Sequence, residues 1–453
     1  MSKTVLLLGA GKSAVYIMEH LTRQGIRVLV VDRDPNRKPI GDIDPDFLEF
    51  STVDLREKDK LIGLLKQSDI VISMLPPALH TDVAHLCLEY RRNLVTASYL
   101  SEEMSRLDSE VRRKGLLFVK EVGLDPGIDH MTAMQTMDRL RGEGNRMILF
   151  ESFTGGLAAP GMANNLWHYK FTWNPWNVVM AGQGGTARFL QEGLNKYIPY
   201  HKLFRRTEFL DIPGYGKFEA YANRDSIKYR EVYGLHDALT LYRGTIRRVG
   251  FSKAWNMLIQ LGLTDNSFVI QDAHKLSYRD YLNLFLPYSP NDTVELKVRH
   301  YLKIDQDDST WEKLVELRLF DRDRFFPMES GTPAELLLHI LVECWTLGED
   351  ETDMIVMYHK FGFEKDGERR QIDSYMVVEG QDQTHTAMAM TVGIPVALVT
   401  ERILQNSVSL TGIHIPTRQE LYDPVIPGLA HYGIRFRDME VPYLGYNPQN
   451  VGI

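Results

Sequence analysis

The strand-forming run Thr4-Val-Leu-Leu-Leu8 passes directly into Gly9-Ala-Gly11-Lys-Ser-Ala14, and a stretch carrying Val15, Ile17, Met18 and Leu21 follows at helical spacing. A continuous apolar run suits a central parallel strand covered on both faces. The glycines then permit a tight turn and a close approach of backbone to a pyrophosphate, and Ala14 keeps helix and strand together with the helix N-terminus facing the phosphate charge. This is the G-x-G-x-x-A form of the dinucleotide turn, so Gly9, Ala10, Gly11, Lys12 and Ser13 are its expected phosphate contacts. A second strand, residues 27–31, ends in Asp32, 21 positions after Gly11. An acid there accepts from the adenosine ribose hydroxyls of NAD. The adjacent Arg33 suits the 2′-phosphate of NADP instead. Asp32 would repel that phosphate, so NAD is favoured.

The alternation continues. Strands are expected at 48–50, 69–73, 93–96 and 116–119, and helices at 58–66, 79–90 and 102–113. Such alternation implies a doubly wound parallel sheet, with ligands beyond the carboxyl ends of the strands. Asp54, Leu75, Ser98, Tyr99 and residues 122–125 all fall at such ends. His80, which opens a helix after Pro76-Pro77, reads as a helix-end contact. The run Glu121-Val-Gly-Leu-Asp-Pro-Gly-Ile-Asp-His130 joins the sixth strand to a further helix through a stiff turn. It presents Glu121, Asp125, Asp129 and His130 close together. Asp129 reads as a helix cap. Capping leaves Asp125 unexplained, and Asp125 is the expected chemical group.

The 453 residues are enough for two or three domains, and 44% apolar with 25% charged residues is ordinary for a globular chain. A net charge of −8 without a basic block argues against nucleic-acid binding. Cys87 and Cys344 cannot build a disulfide framework, and no CxxC or HExxH occurs, so a zinc site is not expected. The sequence shows no signal-peptide pattern ahead of the first strand and no apolar run approaching the roughly 18 residues of a membrane span. The expectation is a cytoplasmic protein.

After about residue 140 the pattern changes. A strand is expected at 146–153, a loop at Thr154-Gly-Gly-Leu-Ala-Ala-Pro160, and an aromatic segment at Tyr169-Lys-Phe-Thr-Trp173. Residues 176–180 and 187–190 suggest a helix. Arg224, Arg243 and Arg247 are candidate carboxylate ligands or plain surface charges on spacing alone. Residues 354–361 and 370–377 flank a Lys-Asp-Gly-Glu hairpin signal. Residues 387–404 read as a helix that Pro395 should interrupt, 412–416 as a short strand and 420–432 as mostly helical.

The segment 121–130 resembles the saccharopine dehydrogenases of the glutamate-forming type, also called saccharopine reductases. The resemblance extends to Thr96-Ala-Ser-Tyr99, Gly155-Gly-Leu-Ala-Ala-Pro160, Tyr169-Lys-Phe-Thr-Trp173, Asn223-Arg-Asp-Ser226, Gly244-Thr-Ile-Arg247 and Thr391-Val-Gly-Ile-Pro395, in the family's order. It implies an α/β fold: a Rossmann domain, residues 1–125 completed by 386–453, and an α+β substrate and dimerisation domain, 126–385, with a small mostly helical insertion at about 200–280. It implies NAD or NADP held around Gly9–Ser13, Asp32, Arg33, Asp54, Leu75, Val122 and Trp173. Substrate contacts would fall on Ser98, Tyr99, Asp125, Arg224, Thr245, Ile246 and Arg247. Partners would be a saccharopine-like amino tricarboxylate and a second copy in a homodimer, with no nucleic acid, membrane or metal. Two departures stand out. Thr154 occupies a position where the family often has cysteine, and fungal members lack an acid at the position of Asp32.

The implied reaction interconverts saccharopine with L-glutamate and 2-aminoadipate 6-semialdehyde through hydride transfer at a carbon next to a secondary amine. Asp125 is the first candidate for acid–base work and Tyr99 the second, with Arg224 and Arg247 as carboxylate clamps. A reductase of a different imine, such as one making carboxynorspermidine, would call for acidic residues lining the pocket. A cofactor-binding regulator would not need Tyr99, Asp125, Arg224 and Arg247 together.

Overall fold

The computed structural model describes residues 3–37, 41–162, 164–445 and the backbone of 451–452. The chain forms two compact units, Met1–Arg146 with Met376–Arg437, and Met147–Tyr375 with Asp438–Ile453.

In the first unit the elements are β1 (Thr4–Leu8), α1 (Ala14–Arg23), β2 (Arg27–Asp32), β3 (Leu48–Thr52), α2 (Lys58–Gln67), β4 (Ile70–Ser73), α3 (His80–Tyr90), β5 (Asn93–Val95), α4 (Glu102–Ser105), α5 (Asp108–Arg113), β6 (Leu117–Val119) and α6 (Ile128–Gly142). The expected helix at 102–113 is thus two short ones. The strands form one sheet in the order β6-β5-β4-β1-β2-β3, with the returning strand Gly412–His414 added beside β6. Every pairing in it is parallel. The order reverses between β1 and β4, which opens a crevice at their carboxyl ends where such sheets bind ligands. Val5, Leu6, Val28, Val30, Ile70 and Val71 have no exposed surface, as central strands covered on both faces require.

The helix Ala387–Leu404 packs in this unit and runs unbroken through Pro395. Tertiary packing overrides the interruption expected of a proline, since all but a few of its residues are buried. By length and composition it could cross a membrane, contrary to the reading that no apolar run came close. However, 83% of it is buried within the protein, as befits a core helix.

The second unit is built on a mixed, largely antiparallel sheet. Its order is Arg437–Pro442, Glu368–Glu379, Asp353–Lys365, Arg146–Ala158, Thr240–Arg248, Gly216–Ala222, Thr207–Ile212 and Val451–Gly452. The expected hairpin around Asp366-Gly367 is the pair Asp353–Lys365 and Glu368–Glu379. The strands Ala187–Gln191 and Leu194–Ile198 form a second hairpin that joins Thr240–Arg248.

Three boundaries differ from those read in the sequence. The first unit extends to Arg146 because α6 packs there: Tyr422 donates to Asp138 at 2.7 Å. The tail beyond Arg437 belongs to the second unit, where Arg437–Pro442 and Val451–Gly452 become sheet strands, so 386–453 does not complete the first unit as a block. The helical insertion begins later than the expected 200 and runs beyond 280. Residues 207–248 supply three strands of the sheet, and the helical stretch runs from Phe251 to Trp345. Residues 187–190, read as helical, are strand for the same reason: cross-strand pairing decides short segments that local propensity leaves ambiguous.

Candidate active site

The glycine turn closes β1 onto α1. The Gly9 amide donates to the Val31 carbonyl at 2.8 Å and the Ala14 amide to the Gly11 carbonyl at 2.9 Å. A Cβ added at Gly11 would meet nothing within 4 Å, so its backbone faces open space at the N-terminus of α1. That is the cradle a pyrophosphate needs, and the turn fits a dinucleotide cofactor.

Asp32 closes β2 and is 7% exposed. Its carboxylate accepts from the Ala10 amide at 2.8 Å and the Asp34 amide at 3.0 Å, and Arg37 Nη1 lies 3.8 Å away. Two amides occupy two of roughly four acceptor directions, so the carboxylate braces the turn and retains capacity for a ribose. Asp54 is different. Arg56 grips it through Nε at 2.9 Å and Nη2 at 2.8 Å. This guanidinium, with a backbone amide, holds the Asp54 carboxyl well below its usual range. A cofactor hydroxyl there would share Asp54 with Arg56. Leu75 packs at the edge of the core under the sheet.

The loops after β5 and β6 are tied together. The Glu121 amide donates to the Ser98 carbonyl at 3.1 Å and the Val122 amide to the Thr96 carbonyl at 3.2 Å. Glu121 Oε1 accepts from the Leu100 amide at 2.8 Å, and its Oε2 lies 2.8 Å from His130 Nε2. Tyr99 donates to Asp125 Oδ1 at 3.2 Å. The two are half-buried, whereas Glu121, Val122, Asp129 and His130 are buried. The Asp125–Pro126 peptide is cis. Gly127, at φ 149°, is the residue that caps α6; a Cβ on it would lie 2.0 Å from the Gly123 carbonyl oxygen. Asp129 is therefore not the cap residue, although its Oδ1 accepts from the Gly127 amide at 2.6 Å and braces the turn. Of four polar groups read from this segment, three are buried scaffold and Asp125 alone is half-buried, beside Tyr99.

Sequence reasoning missed two further groups. His80 is not a mere helix-end contact: it is 2% exposed and lies between the Ser73 and Ser98 hydroxyls. Burial, with the Lys120 charge, drives its pKa down to about 3. Lys120 itself is 1% exposed, and burial lowers it to about 8. A lysine directly after a strand of apolar residues was the available signal.

In the second unit, Arg247 is 4% exposed on the strand Thr240–Arg248. Its Nη1 donates to the Ile246 carbonyl at 2.8 Å. The guanidinium carbon lies 4.9 Å from the Tyr169 ring centre and 5.3 Å from that of Phe251. Among the described residues Arg247 forms no ion pair, and its Nε lacks a hydrogen-bond partner. A desolvated cation of this kind is completed by an anionic ligand. Ile246 is buried and Thr245 half-buried beside it. Arg224 is exposed, at φ 42°, and its carbonyl accepts from the Arg188 amide at 2.9 Å. Trp173 is 44% exposed, as a stacking surface would be. Thr154 Oγ1 is buried without a hydrogen-bond partner among the described residues.

Comparison with known proteins finds related domains along most of the chain. Residues 5–119 match the saccharopine dehydrogenase NADP binding domain, and residues 123–434 the saccharopine dehydrogenase C-terminal domain. The chain is 32% identical over 445 residues to the mitochondrial alpha-aminoadipic semialdehyde synthase of Rattus norvegicus, covering 96% of this chain and 47% of the relative. It thus spans about half the length of that relative. It is 30% identical over 451 residues to the saccharopine dehydrogenase [NADP(+), L-glutamate-forming] of Saccharomyces cerevisiae, covering 97% of this chain and 100% of the relative. The solved structure of the apo Saccharomyces cerevisiae saccharopine dehydrogenase (L-Glu forming) superposes with a TM-score of 0.86 at 28% identity, covering 97% of this chain and 100% of that one.

Proposed function

Because this chain belongs to the saccharopine dehydrogenase family, we propose that it interconverts saccharopine with L-glutamate and 2-aminoadipate 6-semialdehyde, using NAD(P). The observation that carries this reading is the Tyr99–Asp125 pair, held on two tied loops at the carboxyl edge of a dinucleotide-binding sheet, in a chain matching a glutamate-forming relative along its whole length.

When bound, the cofactor supplies hydride acceptance at the carbon beside the substrate's secondary amine. The protein's part is binding and proton handling. Asp125 takes the proton from the amine nitrogen, and during hydrolysis it returns a proton to the departing glutamate nitrogen. The Tyr99 hydroxyl fixes which carboxylate oxygen is turned to the substrate. Arg247 and Arg224 hold substrate carboxylates and so orient the reacting carbon. The arginines favour this substrate over a polyamine-type imine, which would call for acids.

Within this reading NAD is the preferred cofactor. The support is Asp32, buried at the end of β2 where a 2′-phosphate would meet its charge. Arg33 and Arg37 carry the opposite sign beside it, so NADP is also accepted. A homodimer in the cytoplasm completes the proposal, on the family resemblance and on a chain with two cysteines and no disulfide.

The test is cofactor reduction followed by absorbance, with saccharopine and a panel of amino acids, with NAD and with NADP. Turnover is expected with saccharopine and glutamate as a product. Turnover only with a different secondary amine, or cofactor binding without turnover on any, would overturn the assignment.

A further inference from the structure

His80 connects hydroxyls from two neighbouring strands at the carboxyl edge of the seven-stranded sheet. Its Nδ1 lies 2.9 Å from Ser73 Oγ, at the end of β4, and its Nε2 lies 2.7 Å from Ser98 Oγ, beyond β5. Ser73 is fully buried and His80 nearly so. A neutral imidazole offers one donor and one acceptor. Burial, aided by the Lys120 ammonium, keeps the ring neutral, so both nitrogens are used, one on each serine. Whichever nitrogen carries the proton, the Ser98 hydroxyl has one side committed to His80 and its other side directed away.

The backbone at Ser98 is fixed as well. The Ser98 amide donates to Thr96 Oγ1 at 3.3 Å, and its carbonyl accepts from the Glu121 amide at 3.1 Å. The Leu100 amide is held by Glu121 at 2.8 Å. Main-chain bonds thus place the Cα of Ser98, and His80 alone among the described residues fixes the direction of its hydroxyl. Ser98 directly precedes Tyr99, which holds Asp125.

We propose that His80 is a positioning residue that aims the Ser98 hydroxyl at the substrate. The proposal rests on Ser98 being a substrate contact, as the proposed function has it. The imidazole exchanges no proton with substrate and acts only through Ser98.

A double-mutant cycle tests this, with H80F, S98A and the double variant assayed for saccharopine oxidation beside the parent enzyme. Loss of one directed hydrogen bond should raise KM by about tenfold in S98A. H80F should raise it similarly, with kcat less affected. The double variant should be no worse than S98A alone, because His80 has nothing left to aim. H80Q should recover part of the loss, since its amide reaches one of the two hydroxyls. Cofactor affinity, read by fluorescence titration, should stay within twofold of the parent in every variant, which a collapse of the sheet edge would not allow. Unchanged KM in H80F beside an impaired S98A overturns the positioning role, as do losses that multiply in the double variant. Unchanged KM in S98A overturns the reading of Ser98 itself, and the proposal with it. Should H80F not fold, the same cycle is run with H80Q and S98A, and multiplying losses again overturn it.

Discussion

The Tyr99 hydroxyl donates to Asp125 Oδ1 at 3.2 Å, joining two loops 26 residues apart in the chain. The loop carrying Asp125 is fixed by its own backbone bonds, and the one carrying Tyr99 by Glu121. The contact is therefore preorganised, which is where an enzyme gains most from a proton-handling group. Replacing Asp125 with Ala should lower kcat for saccharopine by about 100-fold while leaving cofactor affinity unchanged. Steady-state kinetics with a parallel binding titration checks both halves. Y99F should lie between D125A and the parent, since it removes the orienting bond and leaves the carboxylate.

Glu121 and His130 form the scaffold's buried centre. Glu121 is 4% exposed and His130 is fully buried, with 2.8 Å between Oε2 and Nε2. Replacing Glu121 with Ala takes the acceptor from the Leu100 amide and the carboxylate from His130 Nε2 at once. The expected loss is about 3 kcal/mol of unfolding free energy, read by denaturant titration. E121Q keeps an acceptor for Leu100 and should lose less. An equal loss in both variants would mean that charge, rather than hydrogen bonding, holds the two loops.

The sequence made the first unit legible because its signals are local. A glycine turn, a strand-end acid and regular alternation are each written in neighbouring residues, and Asp125 stood out because capping could not account for it. What escaped was non-local. His80 acts through partners 7 and 18 positions away that lie on different strands, and no spacing rule joins them. The strands in 207–248 fall inside the expected helical insertion because their pairing partners, distant in sequence, decide them. Pro395 sits inside a helix because the surrounding core outweighs one lost hydrogen bond. Arg247 could be told from a surface charge by family resemblance, but its burial among Tyr169 and Phe251 became visible only in three dimensions.

That burial separates binding from folding. A desolvated guanidinium without a carboxylate destabilises the free protein, and an anionic ligand removes the penalty. Replacing Arg247 with Met keeps the volume and deletes the charge. Thermal unfolding of R247M without ligand should occur at the parent temperature or above it, while KM for saccharopine rises by about 10- to 100-fold. A melting temperature several degrees lower would show that Arg247 is a structural residue paired in the free protein.

The second unit also buries two acids against one lysine. Lys360 Nζ lies 2.8 Å from Glu151 and 3.7 Å from Glu208. Burial followed by repulsion from Glu151 lifts Glu208 from 4.5 to about 7, against the pull of Lys360 and Arg206. A carboxyl raised on folding binds its proton more tightly in the folded state. Its contribution to stability is therefore full below pH 4.5 and is lost progressively as pH rises to about 7. Replacing Glu208 with Gln fixes the neutral form. The melting temperature of the parent minus that of E208Q should fall as pH is raised across this window and then level off. A difference that is flat, or that rises with pH, would mean that Glu208 is ionised throughout and that Lys360 satisfies both acids. The readout is a series of thermal melts at constant ionic strength, since screening would otherwise change along with pH.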